Sequence, residues 1–117
     1  MTARVQDAGL ARITTALAVL PWWMQLGSGA GAGQADNDVA DPVEARASAS
    51  AVPSTKNVAG DTLTVTGTVF ATADVVIREI GVFDQASGGD MAFYIEVADV
   101  SLSPGSAYAL TLTLRFG

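Results

Sequence analysis

The sequence predicts an all-β fold, a small antiparallel β-sandwich or jelly-roll-like domain with an N-terminal α-helix. Three observations predict it. From Asp61 onward, apolar residues recur at every second position in runs of strand length. Turn-forming residues separate those runs, and helical periodicity is confined to the first 21 residues. A chain of 117 residues, half of them hydrophobic and 15% charged, can enclose one core. One domain over 1–117 is therefore expected: a helical segment at 1–21, a strand and loop or arm region at 22–60, and a β-rich core at 61–117.

The helix is read from DAGLARITTALAVLP. Leu10, Ile13, Leu17 and Leu20 follow the i, i+3, i+7, i+10 spacing of one face. Asp7 is the expected N-cap, and Pro21 stops the helix because it cannot continue the hydrogen-bond ladder. A helix this short is marginal alone, so its stripe must bury against the domain or dock on a partner. WWMQL follows as a short strand. Its adjacent Trp22 and Trp23 must point to opposite faces, so one enters the core and the other covers the helix or anchors an interface. Leu10, Ile13, Leu17, Trp22 and Trp23 are accordingly the candidate interface residues.

GSGAGAGQADNDVADP reads as a loop, because it lacks apolar periodicity and is rich in turn formers. VEARASASAV alternates weakly and is expected at a sheet edge or in an extended arm, with KNVAGD as a further break. In DTLTVTGTVFA, Leu63, Val65 and Val69 face one way, and Thr62, Thr64, Thr66 and Thr68 the other. In DVVIREIGVFD, strict alternation sets Val76, Ile80 and Val82 beside Arg78, and Val75, Ile77 and Phe83 beside Glu79. Met91, Phe93, Ile95 and Val97 share a face, as do Tyr108, Leu110, Leu112, Leu114 and Phe116. Such runs indicate antiparallel strands with one buried face. DQASGGD is a hairpin connection, with Gly88 and Gly89 accepting the backbone angles the reversal needs. SPG at Ser103 to Gly105 is a turn set by proline and glycine at its centre.

Composition narrows the chemistry. Without cysteine there are no disulfides, thiol nucleophiles or thiolate metal sites, and without histidine the usual general base and commonest metal ligand are missing. A net charge of −6, with six basic residues scattered singly and Lys56 the single lysine, argues against a nucleic-acid partner. Arg4 and Arg12 before ITTALAVLPWWMQL loosely resemble a signal peptide, but Arg12, Pro21 and the tryptophans interrupt the pattern. The apolar run also falls short of the roughly 20 residues of a membrane span, so no membrane association is expected.

Individual motifs fare no better as catalytic or cofactor sites. Gly27, Gly29, Gly31 and Gly33 lack the following amphipathic helix that a phosphate loop requires, and no Walker lysine is present. Asp36, Asp38 and Asp41 do not match the EF-hand spacing and read as surface turn acids, though a partial calcium site shared with other loops stays open. Glu79 and Glu96 lie in neighbouring strands, but Arg78 and Arg115 are available as ion-pair partners and no aromatic cluster marks a sugar platform. Neither enzymatic activity nor a cofactor is expected.

The landmarks taken in order point further. GLARITTAL, W-x-x-LGSG, a polar stretch ending in EAR, DTLTVTGTVFATADVVIREIGVFD, SGG and SLSPGSAYALTLTLRF together resemble a family of small tailed-phage virion proteins. Members of that family stand alone or form the first domain of tail-fibre proteins. The most specific element is IREIGVFD at Ile77 to Asp84. The resemblance spans nearly the whole chain; it departs at WWMQLGSGAGAG, where the tryptophan is doubled and the glycine loop carries extra alanines. It implies a non-enzymatic structural role in the virion, as a homo-oligomer, with the major capsid protein or tail and baseplate proteins as partners. A capsid decoration or cement protein is the expected form. A tail-fibre or baseplate attachment subunit is the alternative, and a carbohydrate- or receptor-binding β-module a further one. An open strand edge without lysines, and the threonine face of residues 62–68, give a physical reason to associate.

Overall fold

The computed structural model describes residues 3–4, 6–33, 36–55 and 61–115. Its elements are α1 (Asp7–Ala18), β1 (Trp22–Gly27), β2 (Pro42–Ser54), β3 (Thr62–Phe70), β4 (Val75–Phe83), β5 (Met91–Leu102) and β6 (Ala107–Arg115). The expected all-β domain with one N-terminal helix is what forms. All six strands belong to one antiparallel sheet in the order β5-β4-β1-β2-β3-β6.

That sheet is rolled, and chain connectivity explains why. β5 and β6 are its two edges, yet only the turn at 103–106 joins them. The five steps from Leu102 to Ala107 reach at most about 18 Å. The outer strands of a flat six-stranded sheet would stand about 24 Å apart. The turn takes the expected form: Gly105 has φ 88°, Ser106 N–H donates to Ser103 O, and Gly105 N–H and Ser106 O bond to Ala71. The two layers of the expected sandwich are thus the halves of one curved sheet, with the core between them.

Inside the roll lie two clusters. Met24, Leu26, Val69, Ala71, Ile77, Ile80 and Leu102 fill one end. Trp22, Leu63, Val65 and Val82 fill the other, where Leu17 and Ala18 of α1 pack against them. The helix thereby stoppers one end of the roll, which supplies the burial that twelve residues need to stay helical. Its buried face is not the expected stripe: Leu10 and Thr14 are buried and Leu17 half-buried, while Ile13 and Leu20 are 40% and 46% exposed. Thr14 reads as polar, but its hydroxyl donates to Ala11 O at 3.1 Å, and a hydroxyl satisfied this way can be buried. Asp7 is the first helical residue rather than the cap; Gln6 is the cap, and its side chain makes no capping bond but accepts from Arg4 Nε at 3.1 Å. Asp7 still favours the helix start, through its charge at the positive end of the helix dipole. The helix ends at Ala18, with Val19 as C-cap, ahead of Pro21.

The largest correction concerns β2. It was expected at an edge or as an arm; it is a thirteen-residue strand in the middle of the sheet, between β1 and β3. Its inner residues Ala47, Ala49 and Ala51 pack on the core clusters, and their small size makes room for helix and tryptophan above them. A second correction concerns β4. Val75 and Ile77 face the core, but so do Ile80 and Val82, so the inward parity switches at Arg78–Glu79. The partner strand shows the same irregularity: Ile77 pairs with Val100 and Glu79 with Glu96, so three residues of β5 span one of β4. This bulge lets Val97 and Val100, three apart, both reach the core. β3 and β6 alternate as expected, except that Thr62 is buried and donates to Asp61 Oδ1. The break at residues 56–60 and Phe116 lie outside the described residues.

Candidate functional site

The parity switch in β4 turns Glu79 away from the core, onto the outer side of the sheet, where it is nonetheless fully buried. The glycine loop between β1 and β2 folds over it. Glu79 Oε2 accepts N–H bonds from Gly29 at 2.9 Å and Asp41 at 2.8 Å. Oε1 accepts from Ala40 N–H at 2.8 Å and from the Tyr94 hydroxyl at 2.9 Å. Burial pushes this carboxyl up, but bonds from Ala40, Asp41, Tyr94 and Gly29 together outweigh it and hold the group below its ordinary value. Burial, together with the hydrogen bond to Glu79 and the charges of Glu79 and Glu96, raises the Tyr94 hydroxyl, which stays a neutral donor.

The glycines have a role different from cradling phosphate. A Cβ at Gly27 would collide with the Glu79 side chain, and one at Gly29 would sit 3.0 Å from both Glu79 Oε2 and Ala40 Cβ. Gly27 and Gly29 leave the space the carboxylate occupies. Among the described residues no helix follows the loop, and residues 36–41 pass through bends into β2. Further ties fix the cover. Asn37 donates to Gly89 O and accepts from Met91 N–H, joining the loop to the β4–β5 hairpin. Arg46 donates to Gln85 O and Gly88 O while its guanidinium lies 3.5 Å from the centre of the Phe83 ring. Gln25 reaches the carbonyls of Leu26, Val43 and Glu44 where β2 bulges, next to the positive φ of Glu44. The Glu44 carboxylate accepts from the Thr72 backbone N–H and hydroxyl, which lowers its pKa.

This arrangement binds the protein to itself. Both oxygens of Glu79 are committed to internal donors, and Glu96, its register partner, is exposed, so the two carboxylates do not face each other across a cleft. The Arg78 guanidinium pairs with Asp99 at 3.3 Å and donates to Ser28 O rather than to Glu79. The crevice beside the network, lined by Ala32, Gly33, Asp36, Met91 and Tyr94, has a volume of 180 Å³. Small-molecule pockets usually hold about 300–1,000 Å³. Asp36 accepts from Gly33 N–H, Asp38 from Val39 N–H and Asp41 from the Ser28 hydroxyl, as turn acids do. Among the described residues, no group of three or more potential metal ligands gathers. Nor is any described helix long and apolar enough to cross a membrane.

The expected interface residues divide. Leu10 and Trp22 are buried in the protein's own core. Trp22 donates to Leu17 O at 2.7 Å and stacks obliquely on Phe93, so it is a clamp for the helix end. Leu17 is half-buried beside it. Ile13 and Trp23 keep access to solvent, Trp23 being half-buried on the outer side opposite Ser48 and Phe83.

Beyond Trp23 the outer side is exposed at Ser50, Val52, Thr66, Thr68, Phe70, Thr111 and Thr113, while Thr62 at its end is buried. Ser50, Thr66 and Thr111 stand in one cross-strand row, and Val52, Thr64 and Thr113 in the next. Thr68 is paired with Ala109, and Phe70 with Ala107. Val52 is 59% and Phe70 64% exposed, and no residue of these rows is charged. No protein-family model matches the chain, and no curated protein matches it significantly.

Proposed function

We propose that the protein is a non-enzymatic structural subunit of a tailed-virus particle, a capsid decoration or cement protein that binds the shell and associates with its own copies. The order of motifs, with IREIGVFD as its most specific element, suggests the class, and one structural observation supports an assembly role. In a chain of net charge −6, the outer side of β2, β3 and β6 between Ser50 and Val52, Thr64 and Phe70, and Ala107 and Thr113 carries only Ser, Thr, Ala, Val and Phe, with Arg115 at its end. A surface without fixed charge loses little on being desolvated against a neighbour, compared with one carrying carboxylates. The carboxylate under the glycine loop, bonded by four internal donors, serves the fold. Locating the subunit in whole-particle density tests the proposal. Density on capsid faces is expected; density confined to the tail axis replaces the proposal with a tail-fibre or baseplate subunit.

A further inference from the structure

We propose that β6 is the edge through which two copies of this chain pair, antiparallel, about a two-fold axis at Thr111. The inference rests on the self-association proposed above and adds its surface. An open sheet exposes two rows of unpaired backbone N–H and C=O groups, and proteins blunt such edges with bulges and charges. Here the two edges differ. β5 is interrupted by two bulges, between Ile77/Glu79 and Val82/Phe83 of its partner, and carries Glu96 and Asp99. β6 makes nine consecutive pairs with β3 without irregularity, and from Ala107 to Leu114 it carries no charge and no proline. Neither bulge, charge nor proline thus blunts β6 from Ala107 to Leu114, and among the described strands none is paired with its outer edge.

The occupant follows from chemistry and symmetry. The core-facing residues of β6, Tyr108, Leu110, Leu112 and Leu114, are only half-buried, whereas Leu63 and Val65 on the adjacent β3 are 0% and 1% exposed. These side chains pack on the core clusters and keep part of their surface exposed. Antiparallel pairing about a two-fold axis requires opposed residues to share a face. Centred on Thr111, it sets Leu110 against Leu112, Tyr108 against Leu114 and Ala109 against Thr113 of the other copy, apolar with apolar and small with small. Two chains of charge −6 repel through any acidic surface, but this strand has no acid, and Arg115 at its end faces the neutral Ala107 position.

Sedimentation of the full chain tests this, with Thr111→Lys, Thr111→Glu and, on the other edge, Ala98→Lys; circular dichroism confirms that each folds. The wild type and Ala98→Lys are expected to be dimers. Each Thr111 variant alone sets like charges face to face, which should weaken dimerisation by about tenfold or more. An equal mixture of the two should restore the dimer. A wild type that stays monomeric at its highest soluble concentration overturns the proposal. So does a Thr111→Lys chain that dimerises as well as wild type, an Ala98→Lys chain that does not, or a mixture that fails to pair. None of these outcomes bears on the subunit's position in a particle, which whole-particle density reads separately.

Discussion

The outer side of this sheet has two halves built on one strand pattern but with different fates. Over β4 and β1 the glycine loop and the β4–β5 hairpin cover it, and polar groups there are satisfied within the chain: Glu79 by four donors, Gln25 by three carbonyls, Arg46 by two carbonyls and a ring. Over the middle of β2, β3 and β6 the described residues leave it exposed, and the polar groups from Ser50 to Thr113 there are uncharged hydroxyls facing outward, with Arg46 and Arg115 at its margins. A buried charge is tolerable only when every lone pair is engaged, so the covered half has little freedom to change. Hydroxyls left facing water impose no such demand. The covered half holds the fold in one arrangement, and the bare half is available to a neighbour.

The sharpest way to break this contrast is Glu79→Leu. It orphans the N–H groups of Gly29, Ala40 and Asp41 and the Tyr94 hydroxyl beneath the loop. Bonds to a charged acceptor contribute about 1.5–3 kcal/mol each and an orphaned buried donor costs about 1–3 kcal/mol, so with partial relaxation the loss should be at least about 3 kcal/mol. Denaturant unfolding measures it, and amide exchange at Gly29, Ala40 and Asp41 should accelerate beyond the rest of the sheet. A loss below about 1 kcal/mol would place the network among surface features.

Acid is a gentler probe of the same half. Because the Glu79 carboxyl is held below its ordinary value of 4.5 in the folded protein, the unfolded chain binds its proton first as pH falls. Its contribution is fully present above about pH 4.5, declines below it, and is gone once the pH has passed through the lower folded value. In Glu79→Gln that part of the slope should vanish, although the variant is less stable throughout. Urea midpoints of both proteins between neutral pH and pH 3 compare the slopes. Parallel curves would mean that Glu79 does not carry the acid response.

The two halves also differed in how far the sequence disclosed them. β3 and β6 were legible because Leu63, Val65, Val69 and Leu110, Leu112, Leu114 alternate with threonines, which is the burial pattern found. β2 was not, because its inward residues are alanines, whose small apolar signal hardly differs from that of the outward serines. Strict alternation sets the glutamate in IREIGVFD beside Val75, Ile77 and Phe83, and its neighbour Arg78 beside Val76, Ile80 and Val82. It thus gives no ground for a carboxylate buried on the outer side. The burial of Glu79 depends on a bulge in β5 and on a loop 38 to 50 residues away in sequence, neither of which local periodicity encodes. The clue available was compositional: glycines at 27 and 29 with no helix to follow them, and a second polar cluster at Asp36–Asp41. The helix face was misjudged for a related reason. Thr14 can be buried because its hydroxyl bonds within the helix, so hydrophobicity alone chose Ile13 in its place.

The smallest expected effect falls on the bare half and sharpens the comparison from the other side. Thr66 points outward in the middle of the Ser50–Thr66–Thr111 row and is exposed. Thr66→Lys removes no buried group and orphans no donor, and the long side chain can extend into water. Thermal or denaturant unfolding should therefore shift by no more than about 0.5 kcal/mol. The charge it adds is costly only if another surface must close over this field. A destabilisation approaching that of Glu79→Leu in the isolated chain would mean that these hydroxyls also serve the fold. A neutral result would leave the bare half with no structural reason for lacking charge, and contact with a neighbour would then account for it.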